Sequence, residues 1–229
     1  MRRWTVSDVM TRDVVSVPAT ASYRELVDLL VHHRFSAVPV VDEAGRVTGV
    51  VSETDLFRKI EYAGDEQPRL FEGHRRRGAR AKAGATCAAD LMSRPPVVVP
   101  AGTSIAAAAR LLAGERIKRL PVTGEQGRLV GIVTRGDLLK VHLRGDAEIL
   151  AEVRTDVLRP YAVEAAHRLH TEVTRGEVTL SGRVDSWSTA DILVRLTRLV
   201  PGVVAVHDDL SYQLDDRSID APSSLYGVP

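Results

Sequence analysis

Two four-residue segments hold the side chains best suited to chemistry, Ser52-x-x-Asp55 and Thr134-x-x-Asp137. Each follows an apolar, strand-like run and opens a helix-like stretch. A hydroxyl and a carboxylate placed there stand beside free backbone N–H groups and the positive end of a helix dipole. An aspartate at that point can accept two hydrogen bonds from a ribose diol, and the hydroxyl can meet a sugar or its phosphate, as helix N-termini do with anions. The same spacing also describes a capping box, in which the pair only satisfies donors at the helix end. Spacing alone leaves both readings open. The use of Asp in both segments, where capping boxes commonly carry Glu or Gln, favours a ligand.

The two segments lie 82 positions apart, and so does much else. Asp8-Val9-Met10-Thr11-Arg12 returns as Asp90-Leu91-Met92-Ser93-Arg94, and Val17-Pro18-Ala19 as Val99-Pro100-Ala101. Pro39-Val40 matches Pro121-Val122, and Gly49-Val50-Val51 matches Gly131-Ile132-Val133. An ungapped repeat of this length predicts two copies of one unit packed about a pseudo-twofold axis, with a cleft of two equivalent halves between them.

The elements that must position the pairs are legible within each copy. Val14 to Val17 is a short β-rich run. Tyr23, Leu26, Val27, Leu30 and Val31 then fall on one stripe of an amphipathic helix, and Ile105, Ala108, Ala109 and Leu112 repeat the stripe. Ala37 to Val41 reads as a strand, Asp42 to Gly45 as a turn, and Val47 to Ser52 as a second strand before the helix near Thr54. The unit is β-α-β-β-α. Between the copies, Pro68, several glycines and the basic run from Arg75 to Lys82 offer little to bury, which predicts a flexible, solvated linker over 61–87.

The twice-repeated pattern, aspartate-hydrophobic-Met-Thr/Ser, a helix, hydrophobic-Pro-Val, then Gly-hydrophobic-hydrophobic-Ser/Thr-x-x-Asp-Leu, resembles a tandem pair of cystathionine-β-synthase-type (CBS) domains over residues 5–60 and 88–143. The resemblance implies an adenosine-containing regulatory ligand, AMP, ADP, ATP or S-adenosylmethionine, with Asp55 and Asp137 as ribose contacts beside Ser52 and Thr134. It implies base contacts from Val15 with Ala37, Val38 and Pro39 at one site, and from Val97 with Arg119, Leu120 and Pro121 at the other. Apolar residues at those positions serve a core equally well. Lys118 and Arg119 stand where the family places cations toward phosphates, against Ser36 and Ala37 in the first copy, so the two halves are expected to be unequal. If Lys118 and Arg119 reach across the pseudo-twofold, they serve the opposite nucleotide. CBS pairs complete a disk as homodimers, and a second copy is expected here, joined by a C2 interface of repeat helices.

The remaining third has another pattern. Ala147 to Val157 is helix-like, Leu169 to Thr174 and Glu177 to Val184 are strand-like, and Ile192, Leu193, Leu196, Leu199 and Val200 mark a further helical stripe ahead of a closing strand, Val203 to Leu214. Gly176-Glu177-Val178-Thr179-Leu180-Ser181-Gly182, the helix, and Pro201-Gly202-Val203 make this segment similar to the BON domain, taken here as 146–214 with a frayed tail over 215–229. That likeness implies a phospholipid surface or another hydrophobic ligand, with Trp187 as a possible interfacial anchor. The segment's acidic balance opposes an anionic leaflet and favours a protein partner. The fold expected for the chain is thus α/β and α+β, two β-α-β-β-α repeats plus a small α+β domain.

Composition sets the outer limits. The formal net charge is +1 over 229 residues, but residues 1–144 carry about +7 and 145–216 about −6. A lone Cys87 and no leader-like apolar run near Met1 predict a reducing, cytoplasmic setting. The arginine-rich run has no interleaved aromatics to stack bases, which argues against nucleic acid. His32-His33 and His167-x-x-His170 lack the further ligands a metal needs. With no nucleophile elbow or phosphate loop, the chain reads as a non-catalytic sensor that requires no cofactor. The competing reading is a structural or membrane-associated adaptor, whose repeats only dimerise and whose BON-like domain binds phospholipid or protein.

Overall fold

The computed structural model describes residues 4–63, 74–162 and 168–218. The chain divides into two compact units, one built on Trp4–Leu138 and one on Leu139–Pro229.

In the first unit a helical turn α1 (Val6–Val9) leads into β1 (Val17–Pro18), α2 (Tyr23–His33), β2 (Ala37–Val41), β3 (Val47–Ser52) and α3 (Glu53–Glu61). After α4 (His74–Gly84) the order returns as α5 (Ala88–Leu91), β4 (Val99–Pro100), α6 (Ile105–Gly114), β5 (Arg119–Thr123), β6 (Leu129–Thr134) and α7 (Arg135–Leu139). Each repeat holds a three-stranded sheet, β1-β2-β3 and β4-β5-β6, whose first pair is parallel and whose hairpin is antiparallel. The helical stripes bury as their periodicity dictates. Leu26 and Leu30 of α2 pack with Val38, Val40 and Val51, and Ala108 and Leu112 of α6 with Leu120, Val122 and Val133. Ser22 and Ser104 start these helices by accepting the N–H of Glu25 and Ala107.

The pseudo-twofold is written in the contacts between repeats. The bridge Thr5 to Ser104 has its mate in Ser22 to Cys87, and Thr11 to Ile132 in Val50 to Ser93. Arg46 pairs with its own repeat equivalent, Arg128, on the axis. The repeats also exchange their first turns: Ala88, Leu91 and Met92 complete the core of the first repeat, while Val6, Val9 and Met10 complete that of the second. Glycine makes the exchange possible. A Cβ on Gly49 would lie 2.2 Å from Met92 Sδ, and one on Gly131 2.5 Å from Met10 Sδ. The aspartate-hydrophobic-Met motif and the glycine of β3 and β6 are therefore two sides of one contact.

One expectation needs correction. Over His74–Gly84 the supposed linker is the helix α4, which packs along α3, and Ala85 directly after it is only 4% exposed within the first repeat's core. Alanine, lysine and arginine are strong helix formers, and the half-buried Ala79 and Ala83, one turn apart, let the helix lie close to its neighbour. A helix can dock through small side chains without large apolar ones. Residues 64–73 of the supposed linker, His167, and 219–229 of the tail lie outside the described residues.

In the second unit a 3-10 turn (Lys140–Leu143) precedes α8 (Asp146–Glu152), which continues through a π-helical stretch (Val153–Leu158) into α9 (Arg159–Tyr161). A sheet of β7 (His170–Thr174), β8 (Glu177–Ser186) and β9 (Ala205–Leu214) follows, with α10 (Trp187–Arg198) crossing between β8 and β9. The pair β7-β8 is antiparallel and β8-β9 parallel, as a helical crossover requires. Ile149, Val153 and Val157 form one stripe against Val178, Leu180, Val184 and Leu193. Asp146 accepts the N–H of Arg175 and of Gly176 at 2.8 Å each, which ties α8 to the hairpin turn. Trp187 is half-buried, with the Arg217 guanidinium 5.2 Å over its ring, so it packs within its own unit. Among the described residues no helix is long and apolar enough to cross a membrane.

Candidate functional site

Ser52 ends β3 and caps α3. Its N–H and its hydroxyl both donate to Asp55 Oδ2, at 2.8 and 2.6 Å, and its Oγ lies 3.4 Å from the Asp55 N–H. Thr134 and Asp137 repeat the arrangement at 2.9, 2.7 and 3.2 Å. The capping box is therefore real in both copies, and the shorter Asp closes it. Asp therefore does not disfavour a cap here, because the extended backbone of the N-cap residue brings the short carboxylate within reach. The Ser52 and Thr134 hydroxyls are spent on the cap, and so is Oδ2 of each aspartate.

Beside Asp55 lies a cavity of about 260 Å³. Its walls come from Ser36 and Ala37 at the start of β2, from Val50 and Ser52 to Asp55 across β3 and α3, from Ser93 with Pro95 to Val97 of the second repeat, and from Arg116 to Arg119 ahead of and into β5. The cavity is thus shared between repeats. The last of these walls bears three cations, Arg116, Lys118 and Arg119, against the carboxylates Glu53 and Asp55.

Arg119 is the hinge of this arrangement. Its Nη1 donates to the Ala37 carbonyl at 3.2 Å, its guanidinium lies 5.8 Å from the Phe35 ring centre, and its buried Nε has no hydrogen-bond partner. Burial lowers its pKa below the ordinary value, against the attraction of Glu53 and Asp137. Lys82 of α4 reaches Asp55: its ammonium pairs with Asp55 Oδ1 and donates to Ser93 Oγ at 3.2 Å.

The structure brings together Ser52, Asp55, Ala37, Val97, Lys118 and Arg119. Val97 therefore stands with Asp55, and the expected pairing of Val97 with Asp137 is corrected. The cause is the exchange of first turns, which carries the segment after Met92 onto the opposite repeat. Its repeat mate Val15 is 37% exposed and does not line the Asp55 cavity. Val38 and Leu120 are fully buried in the two cores, and Pro39 and Pro121 are buried in the hairpins, so none of the four lines the Asp55 cavity. Val38 and Leu120 serve as core, in strands whose successive residues are buried on both faces. Asp137 is 8% exposed, at the head of a five-residue helix, and neither it nor Thr134 borders the cavity.

Sequence reasoning missed Pro95, Pro96, Arg116, Ile117 and above all Lys82. The signal for Lys82 was the helix-forming composition of the basic run; the exchanged turn that brings in Pro95 and Pro96 left none, since identical repeats permit either pairing. Among the described residues no group of three or more His, Cys, Asp and Glu side chains is arranged to hold a metal. His33 instead stacks on Phe35 at 5.1 Å.

Comparison with known proteins agrees with this architecture. Residues 6–62 and 88–144 match the CBS domain, and 145–213 match the BON domain. The chain is 31% identical over 155 residues to CBS domain-containing protein CBSX1, chloroplastic, of Arabidopsis thaliana, across 62% of this chain; it spans 65% of that relative, just under two thirds. Against CBS domain-containing protein YhcV of Bacillus subtilis it is 30% identical over 133 residues, covering 58% of this chain and 81% of the other. The crystal structure of CBSX2 in complex with AMP is similar with a TM-score of 0.54 and 32% identity, over 61% of this chain and 97% of that one. Identity of this level across nearly the whole of a solved CBS pair settles the family: the chain belongs to the CBS-domain proteins, as a CBS pair followed by a BON domain.

Proposed function

We propose that the CBS pair binds a phosphorylated adenosine ligand, AMP first among candidates, in the cleft beside Asp55, and that the protein is a non-catalytic cytoplasmic regulator. The observation that carries this reading is the shared cavity itself: a carboxylate at the head of a nine-residue helix faces a space of about 260 Å³ walled by apolar Ala37, Val50 and Val97 and by three cations. The carboxylate suits a ribose diol, the apolar wall a purine face, and the cations a phosphate. The similar CBSX2 pair holds AMP, which supports the choice. The unequal halves favour one strong site per chain, at Asp55.

A second copy completes the assembly in this reading. Val31 of α2 and Phe57 and Ile60 of α3 are 72%, 57% and 68% exposed, an apolar face on the repeat helices suited to a C2 partner. The BON unit would hand the bound state to a protein partner. That requires the ligand to favour one arrangement of the pair over another, since equal affinity for two states shifts neither.

Thermal unfolding of the full chain with AMP, ATP and S-adenosylmethionine, in wild type, Asp55→Ala and Asp137→Ala, tests the reading. A ligand at about 100 times its dissociation constant adds roughly 2.7 kcal/mol. A rise in Tm with AMP that Asp55→Ala abolishes supports it. No rise with any compound contradicts it.

A further inference from the structure

We propose that Lys82 of α4 is an internal competitor of the ligand: its ammonium occupies the Asp55 oxygen that a ribose diol needs, so that binding must expel it. The inference rests on the reading of the Asp55 cleft as a nucleoside site.

The hydrogen-bond inventory of one carboxylate carries it. A carboxylate oxygen accepts about two hydrogen bonds. Asp55 Oδ2 already has two, from the Ser52 N–H and the Ser52 hydroxyl, and both belong to the cap of α3. Only Oδ1 is left, and Lys82 Nζ holds it. A diol brings two O–H donors and needs both positions on Oδ1. One of them is taken.

The contact is also well placed to resist. The Asp55 and Lys82 side chains are 13% and 22% exposed, so solvent and salt screen the pair less than a surface pair. Lys82 is further held by its bond to Ser93 Oγ, and α4 is anchored by its packing on α3 and by buried Ala85. Expelling the ammonium therefore loosens the attachment of α4 to the cleft, and the helix reports occupancy. Apparent affinity is the intrinsic affinity reduced by the fraction of molecules in which Oδ1 is free.

Calorimetric titration of the full chain with adenosine tests this, because adenosine has the diol and no phosphate that a lysine could assist. Lys82→Met keeps the aliphatic stem and removes the charge, and Lys82→Arg keeps the charge. If the pair is closed about nine-tenths of the time, Lys82→Met binds adenosine about tenfold more tightly than wild type, and Lys82→Arg binds like wild type. With 2′-deoxyadenosine, which offers one hydroxyl fewer, the gain shrinks toward unity. Amide hydrogen exchange over 79–85 in the wild type, which needs no variant, should quicken when adenosine is added. Equal or weaker adenosine binding by Lys82→Met, or slower exchange over 79–85, overturns the competitor while leaving the nucleoside site standing. Absence of binding by wild type and every variant, to adenosine and to AMP alike, removes the nucleoside site and the competitor with it.

Discussion

Arg119 donates to the carbonyl of Ala37 across 3.2 Å, and these two residues are repeat equivalents, 82 positions apart. The residue that is a small apolar side chain in one copy is, in the other, the cation that crosses the axis to hold it. A duplicated unit has thereby become asymmetric at the point where the cleft forms. Arg119 and Lys118 border the cavity of Asp55, in the other repeat.

Arg119→Met should accordingly weaken AMP binding about tenfold and adenosine binding much less, since the lost group is a charge-assisted donor. It should also cost about 1 kcal/mol of stability, because the Ala37 carbonyl loses its donor from Arg119. Calorimetry with the two ligands and urea unfolding check both parts.

Gly49→Ala should destabilise the CBS pair by about 1–3 kcal/mol, the usual cost of overpacking. The new methyl would meet Met92 from Sδ back to Cβ, the last at 2.9 Å, so rotation of the flexible end does not relieve it. Adding Met92→Ala should recover part of the loss, a coupling that a double-mutant cycle in urea measures directly.

Acid should weaken the fold in part through Asp42. Its carboxylate accepts the Arg46 N–H at 2.8 Å and Arg46 Nε at 2.7 Å, and these bonds hold its pKa below the ordinary carboxylate value. A depressed carboxylate stabilises fully above its unfolded value, about 4, and the contribution is lost as pH falls through the lower folded value. Unfolding free energy should therefore fall below about pH 4, and Asp42→Asn should be less stable at neutral pH yet lose less on acidification.

If two copies join through α2 and α3 as proposed, Ile60→Asp and Phe57→Asp should yield a monomer, with little change in thermal stability measured at low concentration. Both side chains are more than half exposed, so a charge there disturbs an interface and not the core. Sedimentation velocity of wild type and variants reads the outcome.

Much of this was legible in the sequence, and the exceptions have physical causes. The ungapped repeat, the 3.6-residue stripes of Leu26 and Leu30, and the strand runs at Ala37 and Val47 gave the elements, because burial periodicity is local information. Which copy's first turn docks on which sheet is not local. Identical repeats permit either pairing, and so Val97 was assigned to Asp137 when it stands with Asp55. The helix α4 escaped notice because binary patterning looks for large apolar residues, and this helix carries half-buried Ala79 and Ala83, the Lys82–Asp55 ion pair and Arg80 over the Tyr62 ring. Val38 looked like a residue of the Asp55 cleft because a covered strand and a ligand wall use the same side chains.

The central claim is that Asp55 recognises a ribose diol, and one comparison tests it most directly: calorimetric titration of the wild-type chain and Asp55→Asn with AMP and with 2′-deoxy-AMP. A hydrogen bond to a charged acceptor contributes about 1.5–3 kcal/mol, more than the roughly 1.4 kcal/mol of a tenfold cost for displacing Lys82, so wild type should still prefer AMP, and Asp55→Asn should bind AMP more weakly and lose the preference. Equal affinity of the wild type for the two nucleotides, or a preference that survives Asp55→Asn, would contradict the account and leave the Ser52–Asp55 pair as a helix cap alone.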